Sequence, residues 1–153
     1  MPSNVLSQLE GQPNIIVTKW DLGRLQYLLS AHATTWSWRA VEFLVGELMR
    51  AHIVDEEIVP GNIVTMRSRV MYRESDSEVD QVITLAYHSD RDLYPDALSV
   101  LTPLGAALVG LPEGQSITYP APDGRLKRAR VVQILSQPER CGRTVSELEK
   151  HVS

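Results

Sequence analysis

Apolar positions along this chain change their period once, near residue 60. Between Thr18 and about His52 they recur at helical spacing. Leu22, Leu25, Leu28 and Leu29 form one face, and Val41, Leu44, Val45, Leu48 and Met49 form a second after the polar stretch His32-Ala33-Thr34-Thr35. Two amphipathic helices with so short a connection predict an antiparallel helical hairpin over 15–58, a short coiled coil. Thr18 or Asp21 would supply the N-cap of the first helix, and Gly23 weakens it slightly. Residues 1–14 carry Pro2, Ser3, Gly11 and Pro13 without a sustained period and read as a mobile tail. Asp55-Glu56-Glu57 follow the second helix and read as a solvated cluster at its C-terminal end, where negative charge is mildly unfavourable.

Pro60-Gly61-Asn62 is a turn signal, and beyond it the period falls to two. Val64, Met66, Val70 and Tyr72 alternate with Arg67, Arg69 and Arg73, interrupted by Ser68, which predicts a strand with one buried face. Ser75 to Glu78 form a polar turn before a second strand, Val79 to Tyr87. The acidic stretch from Ser89 to Ala97 contains Pro95 and reads as a loop outside the sheet. From Leu98 a short alternating strand runs into Thr102 as a helix N-cap, with Pro103 at the first helical position, where its missing N–H costs nothing. Gly110 stops that helix two turns later, and a strand begins near Gly114-Gln115-Ser116-Ile117. Pro122 and Asp123-Gly124 make a turn before a last strand, Leu126 to Leu135. The expected architecture is α+β: the hairpin, then an antiparallel sheet with one short helix over 61–138, then a weakly structured tail over 139–153.

Composition narrows the function. At 153 residues the chain suits one small domain with an appendage, and no apolar run approaches the ~20 residues that span a bilayer. No signal segment is visible at the N-terminus, and the lone Cys141 permits no internal disulfide, so a cytoplasmic protein is expected. The formal net charge of −4 argues against generic or sequence-specific nucleic-acid binding. Four basic and seven acidic residues precede residue 61, and eleven basic and twelve acidic follow, so neither part is a polycation. The local exception is Arg125, Lys127, Arg128 and Arg130 on the last strand, where the period of two sends Lys127 to one face and Arg128 and Arg130 to the other. These cations either protect a solvated edge or meet an acidic partner surface. His32, His52, His88 and His151 are scattered, with no metal-ligand spacing, phosphate loop or nucleophile elbow, so neither a metal, a cofactor nor catalysis is expected.

The order strand, Thr-Pro-Leu-Gly-Ala-Ala-Leu-Val-Gly, then Gly-Gln-Ser-Ile resembles the C-terminal domain of bacterial Gre-type transcript elongation factors. Val64-Thr65-Met66-Arg67-Ser68-Arg69-Val70 and the closing Gln137-Pro138-Glu139 resemble more closely the branch of that family that regulates nucleoside diphosphate kinase. The resemblance implies the fold of FK506-binding proteins for 61–138. It also implies a partner, RNA polymerase, whose secondary-channel rim the domain would meet through Leu101, Thr102, Pro103, Leu104 and Gly105. The family's docking loop is generally Asp-Ser-Pro, so Leu101 stands where an acid is usual, and docking would lean on shape and apolar area.

Transcript cleavage in the family depends on acidic residues at the hairpin tip that help hold a second Mg²⁺. The tip here, Ser30 to Trp36, has His32, Thr34, Thr35 and Trp36 but neither Asp nor Glu. Helices of this length also rise only about 20 Å. Trp36 and Trp38 either close the hairpin or meet a partner. The expectation is a non-catalytic polymerase regulator, with an adaptor that contacts nucleoside diphosphate kinase directly as the alternative. Prolyl isomerase activity is not expected, because the only Phe, Phe43, lies in the hairpin and cannot build the aromatic pocket that chemistry needs.

Overall fold

The computed structural model describes residues 12–32 and 38–140. The expected tip, 33–37, and most of the expected C-terminal tail, including Cys141, lie outside the described residues. The chain runs β1 (Ile16–Thr18), α1 (Lys19–His32), α2 (Trp38–Arg50), β2 (His52–Val54), β3 (Arg69–Glu74), β4 (Gln81–Ala86), a 3₁₀ turn (His88–Leu93), β5 (Ala97–Ser99), α3 (Pro103–Leu108), β6 (Ser116–Pro120) and β7 (Leu126–Ser136).

The helical segment differs from its sequence reading in one consequential way. α2 ends at Arg50, and His52–Val54 leave it as a strand that pairs in parallel with β1, Ile16 opposite His52. Three-residue strands are too short to show a period, which is why neither was visible. The pairing carries Asp55-Glu56-Glu57 back to the start of α1. There Glu56 Oε1 accepts the Trp20 N–H at 2.6 Å and Asp55 meets Lys19 Nζ at 3.0 Å. Thr18 Oγ1 accepts the Asp21 N–H at 3.0 Å and is the N-cap. The acidic cluster read as an unfavourable helix end therefore satisfies donors at a helix start, the favourable end of the dipole.

The buried face of α1 is Asp21, Leu25 and Leu28, and that of α2 is Ala40, Leu44 and Leu48. Both faces join one buried core continuous with that of the sheet domain; α2 packs chiefly on α3, and α1 on β1 and β2. With those side chains committed, the expected coiled-coil seam between the helices does not form. A groove of about 590 Å³ lies between them instead, lined by Leu22 and Leu29 on one side and Val41, Val45 and Met49 on the other. Burying Leu25 or Leu44, each fully enclosed, contributes about 1.5–3 kcal/mol.

The five-stranded sheet has the order β5-β4-β3-β7-β6. β3 is antiparallel to β4 and β7, and β6 to β7, but β5 joins β4 in parallel, so the sheet is mixed where the sequence reading had it antiparallel throughout. The short strand expected from Leu98 is β5, an edge strand; apart from Ala97, the acidic stretch before it, with its 3₁₀ turn and Pro95, lies outside the sheet as expected. The strand expected from Val64 begins only at Arg69. Thr65 and Ser68 close a turn through Ser68 N–H to Thr65 O and Thr65 N–H to Ser68 Oγ, each 3.0 Å, and Arg67 takes a left-handed φ of 69°. Val64 and Met66 are nevertheless buried, so the turn preserves the alternation that suggested a strand. At the opposite edge the Gln12 side-chain amide accepts the Thr118 N–H at 3.1 Å and donates to the Thr118 carbonyl, occupying backbone groups of β6.

α3 ends as read. Val109 leaves the helix and Gly110 takes φ +80°. Its N–H donates to Val64 O at 2.7 Å and its carbonyl accepts the Ile16 N–H at 3.0 Å, tying β1 and the Val64 turn to the end of α3. A Cβ here would sit 3.0 Å from both Ile15 Cβ and Ile16 O. The left-handed backbone alone costs a non-glycine residue roughly 1–2 kcal/mol. Gly110→Ala is therefore expected to lower stability by about 2–4 kcal/mol in urea denaturation; an unchanged midpoint would show that β1 does not depend on this close approach.

Candidate protein-docking site

The Leu98 to Gly110 element is built by local hydrogen bonds. Val100 N–H reaches Ala86 O at 2.9 Å, so the chain leaves β5 still held to β4. Ser99 Oγ accepts the Leu101 N–H at 3.1 Å, and Thr102 N–H donates to Ser99 O at 3.1 Å. The Thr102 hydroxyl donates to Ser99 O at 2.6 Å and accepts the Gly105 N–H at 3.1 Å, which makes it the N-cap and occupies it on both sides. Pro103 takes the first helical position. A Cβ on Gly105 would lie 2.1 Å from the Ser99 carbonyl oxygen, so only glycine lets the helix approach the strand end this closely.

The structure divides the five residues singled out by sequence. Leu101 and Gly105 are buried and hold the loop from beneath. Thr102, Pro103 and Leu104 are half-buried and form its outer surface. Leu108 lies wholly inside the core. The loop surface is mostly apolar and contains no carboxylate, with Leu101 facing inward.

A second feature fixes the helices to this domain. Asp21 on α1 is buried; its Oδ1 accepts the Tyr87 O–H at 3.0 Å and its Oδ2 the Met66 N–H at 3.1 Å. Burial pushes the Asp21 carboxyl above its ordinary value, against the opposing pull of these bonds and of Arg24. Burial first, then the neighbouring Asp21, pushes the Tyr87 hydroxyl up, so it stays a donor. The Arg67 guanidinium stacks over Tyr87 at 5.5 Å from the ring centre and holds Asp90 through two bonds, 2.7 and 3.2 Å. Arg24 lies over Trp20 at 4.7 Å. Nothing in the sequence pattern pointed to Asp21 beyond its candidacy as a cap, because its partners are 45 and 66 residues away.

The four cations of the last strand do not act together. Arg125 is bridged to Asp123 within its own turn at 3.0 Å, and Lys127 faces Glu74 at 3.9 Å. Arg128 and Arg130 lie on the other face, exposed. Of the expected tip, Thr34, Thr35 and Trp36 are outside the described residues and His32 ends α1. Among the described residues no group of three His, Cys, Asp or Glu is placed to hold a metal, and no helix is long and apolar enough to cross a membrane.

Comparison with known proteins agrees with this architecture. The model of the transcription elongation factor GreA/GreB C-terminal family matches residues 59–136, and the Rnk N-terminus model matches residues 13–54. The chain belongs to the GreA/GreB family of transcription elongation factors. Within it, the chain is 38% identical over 132 residues to the regulator of nucleoside diphosphate kinase of Escherichia coli K12, covering 86% of this chain and 96% of that one. It is 30% identical over 108 residues to the elongation factor GreA of Rhodospirillum rubrum, covering 68% and 69% of the two chains. The solved GreA/GreB elongation factor of Nitrosomonas europaea superposes with a TM-score of 0.63 at 35% identity, covering 80% of this chain and all of that one.

The Asp21 carboxyl generates a signed pH prediction. Its folded-state pKa lies above the ordinary 3.8, so between that value and the raised one the folded state holds more proton than the unfolded state. Its contribution to stability is accordingly largest at low pH and declines as pH rises through that window. Asp21→Asn removes this dependence. Denaturation of both proteins from acid to neutral pH should show the wild type's stability relative to Asp21→Asn falling as pH rises; a constant or rising difference would refute the assignment.

Proposed function

We propose that this protein is a non-catalytic regulator that binds RNA polymerase at the site used by Gre factors. The observation that carries the reading is the intact cap-and-turn element from Ser99 to Gly110, in a family-matched domain, presenting Thr102, Pro103 and Leu104 at the surface. With Leu101 turned inward, contact rests on the shape and apolar area of Pro103 and Leu104 in place of a charge-assisted bond. This domain would occupy the rim of the secondary channel, its fold being that of the FK506-binding proteins, without isomerase activity. Phe43 belongs to α2 and packs against the core, away from any such pocket.

Two features argue against stimulation of transcript cleavage. The segment Ser30 to Trp36 supplies no carboxylate for a second Mg²⁺. The helices contain 14 and 13 residues, a rise of about 20 Å each, short for a probe that must reach a distant active site. Occupancy without cleavage makes the protein a competitor of channel-entering factors. The name of the Escherichia coli relative supports a second reading, an adaptor that contacts nucleoside diphosphate kinase directly.

The test is retention of core RNA polymerase by the tagged protein, with a Gre factor as competitor and transcript cleavage read on the same stalled complex. Binding displaced by the competitor, without cleavage, is expected. Pro103→Ala should weaken binding about tenfold, the ~1.4 kcal/mol of one modest contact, with an unchanged circular dichroism spectrum. Equal affinity of the Pro103→Ala variant would remove the docking assignment, and retention of the kinase in place of polymerase would favour the adaptor.

A further inference from the structure

The outward face of the sheet carries a cationic groove that the docking element does not use. Ladder register places Arg73 of β3 directly opposite Arg130 of β7, and Arg130 opposite Ser116 of β6. Arg128, two residues earlier on β7, shares the face and lies opposite Thr118. Two arginines facing each other across a ladder repel, an arrangement that costs stability unless an anion sits between them. Asp80 answers Arg73, through a 2.7 Å bond to its Nε. Neither the Arg128 nor the Arg130 guanidinium has a carboxylate partner among the described residues, whereas Arg50, Arg67, Arg69 and Arg125 are each paired. Glu74 borders the same groove, but its carboxylate is taken by the Tyr119 hydroxyl and Lys127 on the other side.

The groove encloses about 540 Å³ and adds the Ser75, Ser77 and Ser116 side chains to the three arginines. That volume is in the range of small-molecule sites. We propose that this groove binds the phosphoryl oxyanion of a small phosphorylated molecule. A carboxylate would be satisfied by one bidentate arginine. Guanidinium groups from two strands and the hydroxyls of Ser75 and Ser116 supply the several donors that a multiply charged phosphate, with its many acceptor oxygens, requires, whereas the Ser77 hydroxyl is bonded to the Val79 backbone. With Arg73 already answered by Asp80, the anion would offset the charge of Arg128 and Arg130 and tie β7 to its neighbouring strands, so binding is coupled to the stability of the sheet.

Thermal unfolding of the full chain with inorganic pyrophosphate, against potassium chloride at matched ionic strength, tests the proposal. Pyrophosphate should raise Tm by several degrees, and inorganic phosphate by less. The double variant Arg128→Gln, Arg130→Gln removes only exposed side chains. It should be at least as stable as the wild type without anion and lose the pyrophosphate shift. Absence of a shift in the wild type, or an equal shift in the double variant, overturns the proposal. A short single-stranded oligonucleotide without terminal phosphate forms the second arm. Arginine-dependent binding of it without any response to pyrophosphate would assign the groove to a nucleic-acid backbone and overturn the small-ligand reading. Polymerase retention is independent of this readout.

Discussion

The structure hangs on a close approach of backbones at Gly110. Three segments distant in sequence meet there: the end of α3, the turn that carries Val64, and β1 at the start of the helical segment. A backbone with φ +80° turns its N–H to one neighbour and its carbonyl to another, and the absent Cβ leaves room for Ile15 and Ile16. With β1 seated, Ile15 is enclosed and its carbonyl accepts the His52 N–H at 2.9 Å, which starts the parallel pairing with β2. That pairing returns Glu56 to the Trp20 N–H and caps α1. The helices are therefore placed by the sheet domain and not by each other.

Asp21 completes this dependence. A carboxylate removed from water is tolerated only when its oxygens are hydrogen-bonded, and here one binds a backbone N–H of the Met66 turn and the other the Tyr87 hydroxyl. Both partners belong to the sheet domain, so the bonds fix where α1 leaves it. Buried Glu47 plays a related part on α2, where Arg50 binds both its carboxylate and the Pro13 carbonyl.

The candidate docking element was legible because its determinants are local. Thr102, Pro103, Gly105 and Gly110 act within about two helical turns, through a cap, a fixed φ, a close approach and a left-handed stop, and each has a residue type suited to it. What could not be read was which side of the loop faces water. Leu101 and Leu104 are both leucines beside the cap, yet one is buried and the other half-exposed. The basic run on β7 was legible as alternation. Arg125 is paired within its own turn, but the turn of Lys127 to Glu74 and the placement of Arg128 and Arg130, without a carboxylate partner among the described residues, depend on β3 and β6 lying alongside.

By itself, the sequence determined the two helices, the α+β order, the capped helix with its glycine stop, and the absence of carboxylates from 30–36, because each depends on neighbours a few residues apart. The tertiary structure decided the rest. β1 and β2 are three residues each and exist only because each finds the other. β5 runs parallel to β4 and not antiparallel because the 3₁₀ segment carries the chain back along the sheet edge, and Asp55 and Glu56 hold the first turn of a helix that begins more than thirty residues earlier. The coiled-coil seam gave way because the sheet domain offered Leu25, Leu28, Leu44 and Leu48 a deeper burial than the helices could offer each other. Local periodicity specifies an element's type, but its partner is set by the competition for buried area and unpaired backbone groups, which only the assembled chain resolves.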